Sequence, residues 1–123
     1  MDLLETRTNH PNLIIQADTG MCKTAGQSYQ HSIIVPWDAP IENIDIKSVT
    51  ELDVHIFKKL CDFNPEIIVL ATGESIVYPD TDLLLPLVEN NIGLEVMTNS
   101  AAARTFNVLM SESRQVLCMF LIA

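Results

Sequence analysis

The chain has 123 residues, 48% of them hydrophobic and 19% charged, which suits one globular domain with a proper core and is too short for two ordinary ones. Neither metal nor disulfide is needed to hold a fold of this size. Sixteen acidic residues against seven basic ones give a net charge of -9, the wrong sign for phosphate backbones and anionic lipid surfaces, so neither nucleic-acid binding nor membrane insertion is expected.

From the N-terminus, residues 1–12 read as a flexible polar lead-in and residues 13–123 as a single α/β domain. Leu13 to Ala17 reads as a first strand, Asp18-Thr19-Gly20 supplies a turn, and a polar stretch then runs to Gln30. His31 to Val35 reads as a second strand, closed by Pro36 because proline cannot donate to a sheet ladder. The alternation of Ile44 and Ile46 suggests a short half-exposed strand.

From Thr50 the period lengthens. Leu52, Ile56, Leu60 and Phe63 recur at helical spacing, with Thr50 and Asp53 placed to cap the start and Asn64-Pro65 to end the helix. Glu66 to Ala71 is a nearly continuous apolar run of the kind found in strands covered on both faces. Asp80 to Asn91 reads as a second helix, and Pro86 inside it demands a kink or a late start. Leu94 to Met97 is a short strand, Thr98-Asn99-Ser100 offers capping oxygens, and Ala101 to Ser111 is a third helix. The unbroken apolar run over Val116 to Leu121 reads as a central strand, since an exposed edge of that composition would aggregate. The order helix, strand, helix, strand, helix, strand calls for helices on a mixed, largely parallel sheet.

Chemistry-bearing residues are sparse. Cys22, Cys61 and Cys118 show no CxxC spacing, and His10, His31 and His55 present no paired imidazoles, so neither a metal nor a cofactor is expected. The longest apolar run, Val116 to Ala123, is far short of the roughly 20 residues of a membrane helix, and no secretory leader is visible. A soluble cytoplasmic protein is the expectation. No GxSxG, HExxH or phosphate-loop glycine pattern occurs.

Beyond Lys59 there are eight acidic residues but only two basic ones, Arg104 and Arg114. Arg104 falls early in the third helix, near backbone N–H groups that favour an anion. Ligands of open α/β sheets bind beyond the carboxyl ends of the strands, where the Thr72-Gly73-Glu74-Ser75 and Thr98-Asn99-Ser100 loops emerge. These loops and Arg104 could form one small anion pocket. The alternative is that Arg104 pairs with Glu95 and ties helix to sheet. Glu95 could also serve as a general base if burial raised its proton affinity.

The segment from Gly93 to Arg114 resembles the NADH:ubiquinone oxidoreductase (complex I) assembly factor three family, a small domain shared with uncharacterised bacterial and archaeal proteins. Glu95, Met97, Arg104, Thr105, Asn107, Glu112 and Arg114 match its motifs, as do Tyr29, Ser32, the Ile33-Ile34-Val35-Pro36 run and Ala71-Thr72-Gly73. Ala71 and Ser113 stand where members carry glycine, Phe106 where they carry tyrosine, and Asn99 and Ala103 at small or cysteine positions. The resemblance implies a three-layer α/β domain and a non-enzymatic binding or assembly role with a protein partner. It marks Thr105 and Asn107, beside Thr72, Gly73, Glu95, Thr98 and Arg104, as binding candidates. The alternative is a small-molecule enzyme or sensor holding an anionic ligand near the 72–75 and 98–104 loops.

Overall fold

The apolar run near the C-terminus lies where its composition demands, in the middle of a sheet. The computed structural model describes residues 10–123; of the lead-in at 1–12, the first nine residues fall outside the described ones. Strand β8 (Val116–Phe120) is flanked by β4 (Ile33–Val35) and β6 (Ile67–Ala71), with β5 (Glu42–Asn43) and β7 (Gly93–Met97) at the two edges of a five-stranded sheet. All five residues of β8 are buried.

The sheet is mixed rather than largely parallel. β6 runs parallel to both β7 and β8, whereas β4 runs antiparallel to both β5 and β8. The parallel half comes from the alternating helices and strands of the second half of the chain. The antiparallel half comes from β4, which precedes that alternation and packs against β8 from the other side.

Pleating sends alternate side chains of the central strands to opposite faces. Val35, Val69, Cys118 and Phe120 enter one apolar cluster with Ala102, Phe106 and Met110 of helix α3 (Asn99–Ser111). Ile34, Ile68, Leu70, Leu117 and Met119 enter the other with Phe57 and Leu60 of α1 (Val54–Asp62) and Leu87 of α2 (Leu85–Glu89). Asp53 caps α1 by accepting from the Ile56 N–H at 3.0 Å. Thr50, expected to share in capping that helix, lies instead in a separate 3-10 turn, Val49–Glu51. Pro86 forces the late start anticipated for α2: Thr81–Leu84 is 3-10, and the proline sits in the first α-helical turn where its missing N–H is harmless.

Two features depart from the sequence reading. The polar stretch after Gly20 contains β2 (Cys22–Thr24) and β3 (Ser28–Tyr29), which with β1 (Ile14–Ala17) form a separate antiparallel three-stranded sheet. Cys22 and Thr24 are buried while Lys23 between them is exposed, so a three-residue strand shows only one polar-out position. The short strand expected at Ile44 to Ile46 lies earlier, at Glu42–Asn43. Ile44 and Ile46 pack on the second cluster from irregular chain, and the Ile44 N–H donates to Ser32 O at 3.0 Å.

Asn12 is buried and donates from Nδ2 to Pro36 O at 2.8 Å and Ala39 O at 2.9 Å. Ser113 has φ 63°, a left-handed conformation that accounts for glycine at this point in the resembled family. Arg114 then ties the turn to the sheet, its Nε lying 2.8 Å from Glu66 Oε1. That bond, together with the Gln115 N–H, holds the exposed Glu66 carboxyl below its ordinary range.

Candidate functional site

The loops leaving β6 and β7 depart to opposite faces of the sheet, one toward α2 and the other into α3. Such divergence opens a crevice at the carboxyl ends of neighbouring parallel strands. A cleft of about 350 Å³ lies there, lined by Asp18, Thr19, Gly73, Glu74, Thr98, Asn99 and Ser100. A second, of about 380 Å³, shares Thr19, Gly73 and Glu74 and extends over Lys47, Ser48, Thr50, Thr72 and Val77.

Asn99 builds this corner. Its side chain is fully buried; Oδ1 accepts from the Gly73 N–H at 2.8 Å, and Nδ2 donates to Asp18 O at 2.9 Å and Leu121 O at 3.1 Å. The Asn99 N–H returns a bond to Gly73 O at 2.9 Å. Four separate segments therefore meet on one amide. Gly73 reaches Asn99 with φ 102°, which a residue with a Cβ adopts only under strain.

The other predicted residues have defined places. Thr72 donates from its hydroxyl to Ser75 O at 2.7 Å and accepts from the Val77 N–H at 3.1 Å, shaping its own loop. Thr98 caps α3 by accepting from the Ala101 N–H at 3.3 Å. Asn107 docks β1 on α3 through both backbone groups of Ile14, at 2.9 and 2.7 Å. Thr105 is half-buried on α3, and Glu95 is exposed on the edge strand β7.

Arg104 does not join the 72–75 loop. It lines a different cleft, of about 280 Å³, with Ile14 to Ala17, Ser100, Ala103 and Asn107. Neither a hydrogen bond nor an ion pair joins its side chain to Glu95 or to any other described residue. The pairing considered from the sequence is absent because α3 turns Arg104 toward β1, whereas Glu95 stands on the edge of the five-stranded sheet. Arg104→Gln is accordingly expected to change stability by no more than about 0.5 kcal/mol, as for other exposed positions, checked by denaturant unfolding. A loss of several kcal/mol would show a buried partner.

The electrostatics of the Gly73 crevice follow from these bonds. In the first turn of α3 the Asn99 and Ala101 N–H groups are already taken, and Asp18 and Glu74 bring carboxylates to the rim. Negative charge there offsets the helix end's attraction for an anion. Among the described residues no group of three or more His, Cys, Asp or Glu side chains could hold a metal ion. Burial pushes the Cys22 thiol up to about 12 and raises the fully buried Cys118 thiol well above its ordinary value, so both remain protonated and unreactive at neutral pH. Sequence reasoning missed the weight carried by Asn99, because its partners Asp18, Gly73 and Leu121 are distant along the chain.

Known proteins share this architecture. A Xanthomonas campestris protein solved by NMR is 38% identical, with a TM-score of 0.81 over 89% of this chain and 83% of that one. A Mth938-like domain from Bordetella pertussis, 19% identical, has the same fold, with a TM-score of 0.79 over 94% and 87% of the two chains. A Francisella tularensis subsp. holarctica (strain LVS) protein named "13 kDa major membrane protein" is 26% identical over 94 residues, 76% of each chain. No helix among the described residues here is long and apolar enough to cross a membrane. Residues 14–121 match the family described as protein of unknown function (DUF498/DUF598). With that match over nearly all of its described length, the chain belongs to the DUF498/DUF598 family.

Proposed function

We propose that the protein is a non-enzymatic binding domain of the assembly-factor type, which docks on another protein through the loop that follows β6. The observation that carries this reading is the run Ile76-Val77-Tyr78, three consecutive large apolar residues 50%, 45% and 73% exposed. Scattered exposed apolar residues are ordinary, but a contiguous run on a loop held by a hydrogen-bonded turn costs solubility unless something covers it. Tyrosine is enriched at the energetic centres of protein interfaces. The likeness to complex I assembly factors supports a partner that is itself part of a multiprotein complex. The two apolar clusters on opposite faces of the sheet support the three-layer form of that family's fold.

The test pairs crosslinking with a ligand screen. A photoreactive phenylalanine analogue at position 78 is expected to capture one protein, which once purified binds the wild type and not Val77→Asp. The melting temperature is expected to stay fixed with nucleotides, phosphosugars and small carboxylates. Saturating ligand at 100 times its dissociation constant would add about 2.7 kcal/mol, so a consistent shift with one anion class, without crosslinking, would replace this reading with that of a small-molecule sensor or enzyme.

A further inference from the structure

We infer that the free edge of β7 receives an extended segment of a partner protein as a sixth strand, and that this segment carries a lysine or arginine opposite Glu95. This rests on the protein-binding reading above and adds to it a second surface and a partner chemistry.

The hydrogen-bond pattern fixes which groups are available. The Gly93 N–H donates to Glu66 O at 3.1 Å, and the Thr72 N–H donates to Met97 O at 3.0 Å. In a parallel ladder each strand turns the N–H and C=O of alternate residues to the same neighbour. In this register Gly93, Glu95 and Met97 face β6. Leu94 and Val96 therefore direct two N–H and two C=O groups away from the sheet, where no further strand follows among the described residues.

The side chains say what can pair there. Leu94 and Val96 pack toward the α1 and α2 face, and α2, on that same face, leaves Leu85 and Val88 exposed. Glu95, the only charge on the strand, points to the opposite face and is exposed with no partner among the described residues.

A second copy of the chain is a poor occupant. The antiparallel register that satisfies all four outward groups sets Leu94 against Val96 of the copy and Glu95 against its own equivalent. Residues in such a non-hydrogen-bonded pair lie about 4.5 Å apart at Cα, and like charges directly opposite oppose pairing. A cation at that position reverses the sign, and the net charge of -9 draws a basic segment to the surface.

The experiment titrates isotope-labelled protein with the capped peptide Ser-Thr-Val-Lys-Val-Thr-Ser. Slowed amide exchange is expected at Leu94 and Val96, with Gly93 and Glu95 little changed. Binding should weaken at least tenfold when the peptide's lysine becomes glutamate, and again when Glu95→Lys meets the original peptide. Glu95→Lys with the glutamate peptide should recover it. Glu95→Gln supplies the same comparison without charge reversal, being expected to bind both peptides with similar strength. No protection at Leu94 and Val96, affinity indifferent to charge, or the same protection produced by self-association would each overturn the inference. Crosslinking at position 78 without peptide binding would leave the protein-binding reading standing and remove only this one.

Discussion

Removal of residues 116–123 is expected to leave a chain that is recovered only in the insoluble fraction. β8 is paired on both sides, antiparallel to β4 and parallel to β6, and its side chains alternate between the two apolar clusters. Deletion opens both neighbouring edges and takes an inward face from each cluster, which favours intermolecular pairing. A single-residue counterpart is Phe120→Ala. Phe120 is fully buried, and the loss of such a side chain costs about 3–5 kcal/mol, read from urea unfolding. A soluble truncated chain with a cooperative melting transition would show that the rest of the sheet closes without its central strand.

Asn99→Ala should also be severe. The substitution strands the Gly73 N–H and the Asp18 and Leu121 carbonyls. A fully buried polar group left without a partner costs about 1–3 kcal/mol; the Leu121 bond is buried and the other two part-buried, so a total of about 3–5 kcal/mol and a fall in melting temperature of roughly 10–20 °C are expected. Asn99→Asp separates geometry from size: it preserves the acceptor for Gly73 but turns a carboxylate oxygen toward two carbonyls. At neutral pH it should be at least as damaging as alanine. Thr98→Ala, which removes only the cap of α3, should cost about 1 kcal/mol. Alanine at position 99 with a melting temperature within about 3 °C of wild type would mean that water replaces the amide.

What was legible in the sequence follows from how many residues carry each signal. β6 and β8 announce themselves through apolar runs of five or more residues, and α1 through helical spacing with a capping aspartate. β2 and β3 together span five residues, too few for alternation to register against a polar background. The isoleucines at 44 and 46 are half-buried without belonging to a strand, because irregular chain can also pack apolar residues.

The same division holds at the site. The meeting of the 72–75 and 98–100 loops follows from strand order, since both leave the carboxyl ends of adjacent parallel strands. The direction of Arg104 depends on the rotation of α3 about its axis, set by Phe106 and Ala102 in the core and by Asn107 on β1. Sequence spacing alone did not reveal that Asn107 would spend both polar atoms on Ile14.

The position of β8 also bears on the order in which the protein is made. The strand at the centre of the sheet is the last of the eight among the described residues, so β4 and β6, separated by more than thirty residues, have no common neighbour until it has left the ribosome. Hairpins and helices can form as they emerge, but the sheet closes only after synthesis has passed residue 120. Until then the apolar strands β4 and β6 wait with open edges, a state vulnerable to aggregation. Pairings across such long sequence separations also place the domain among slower folders. A pause in translation at any point before β8 has left the ribosome would lengthen that exposure.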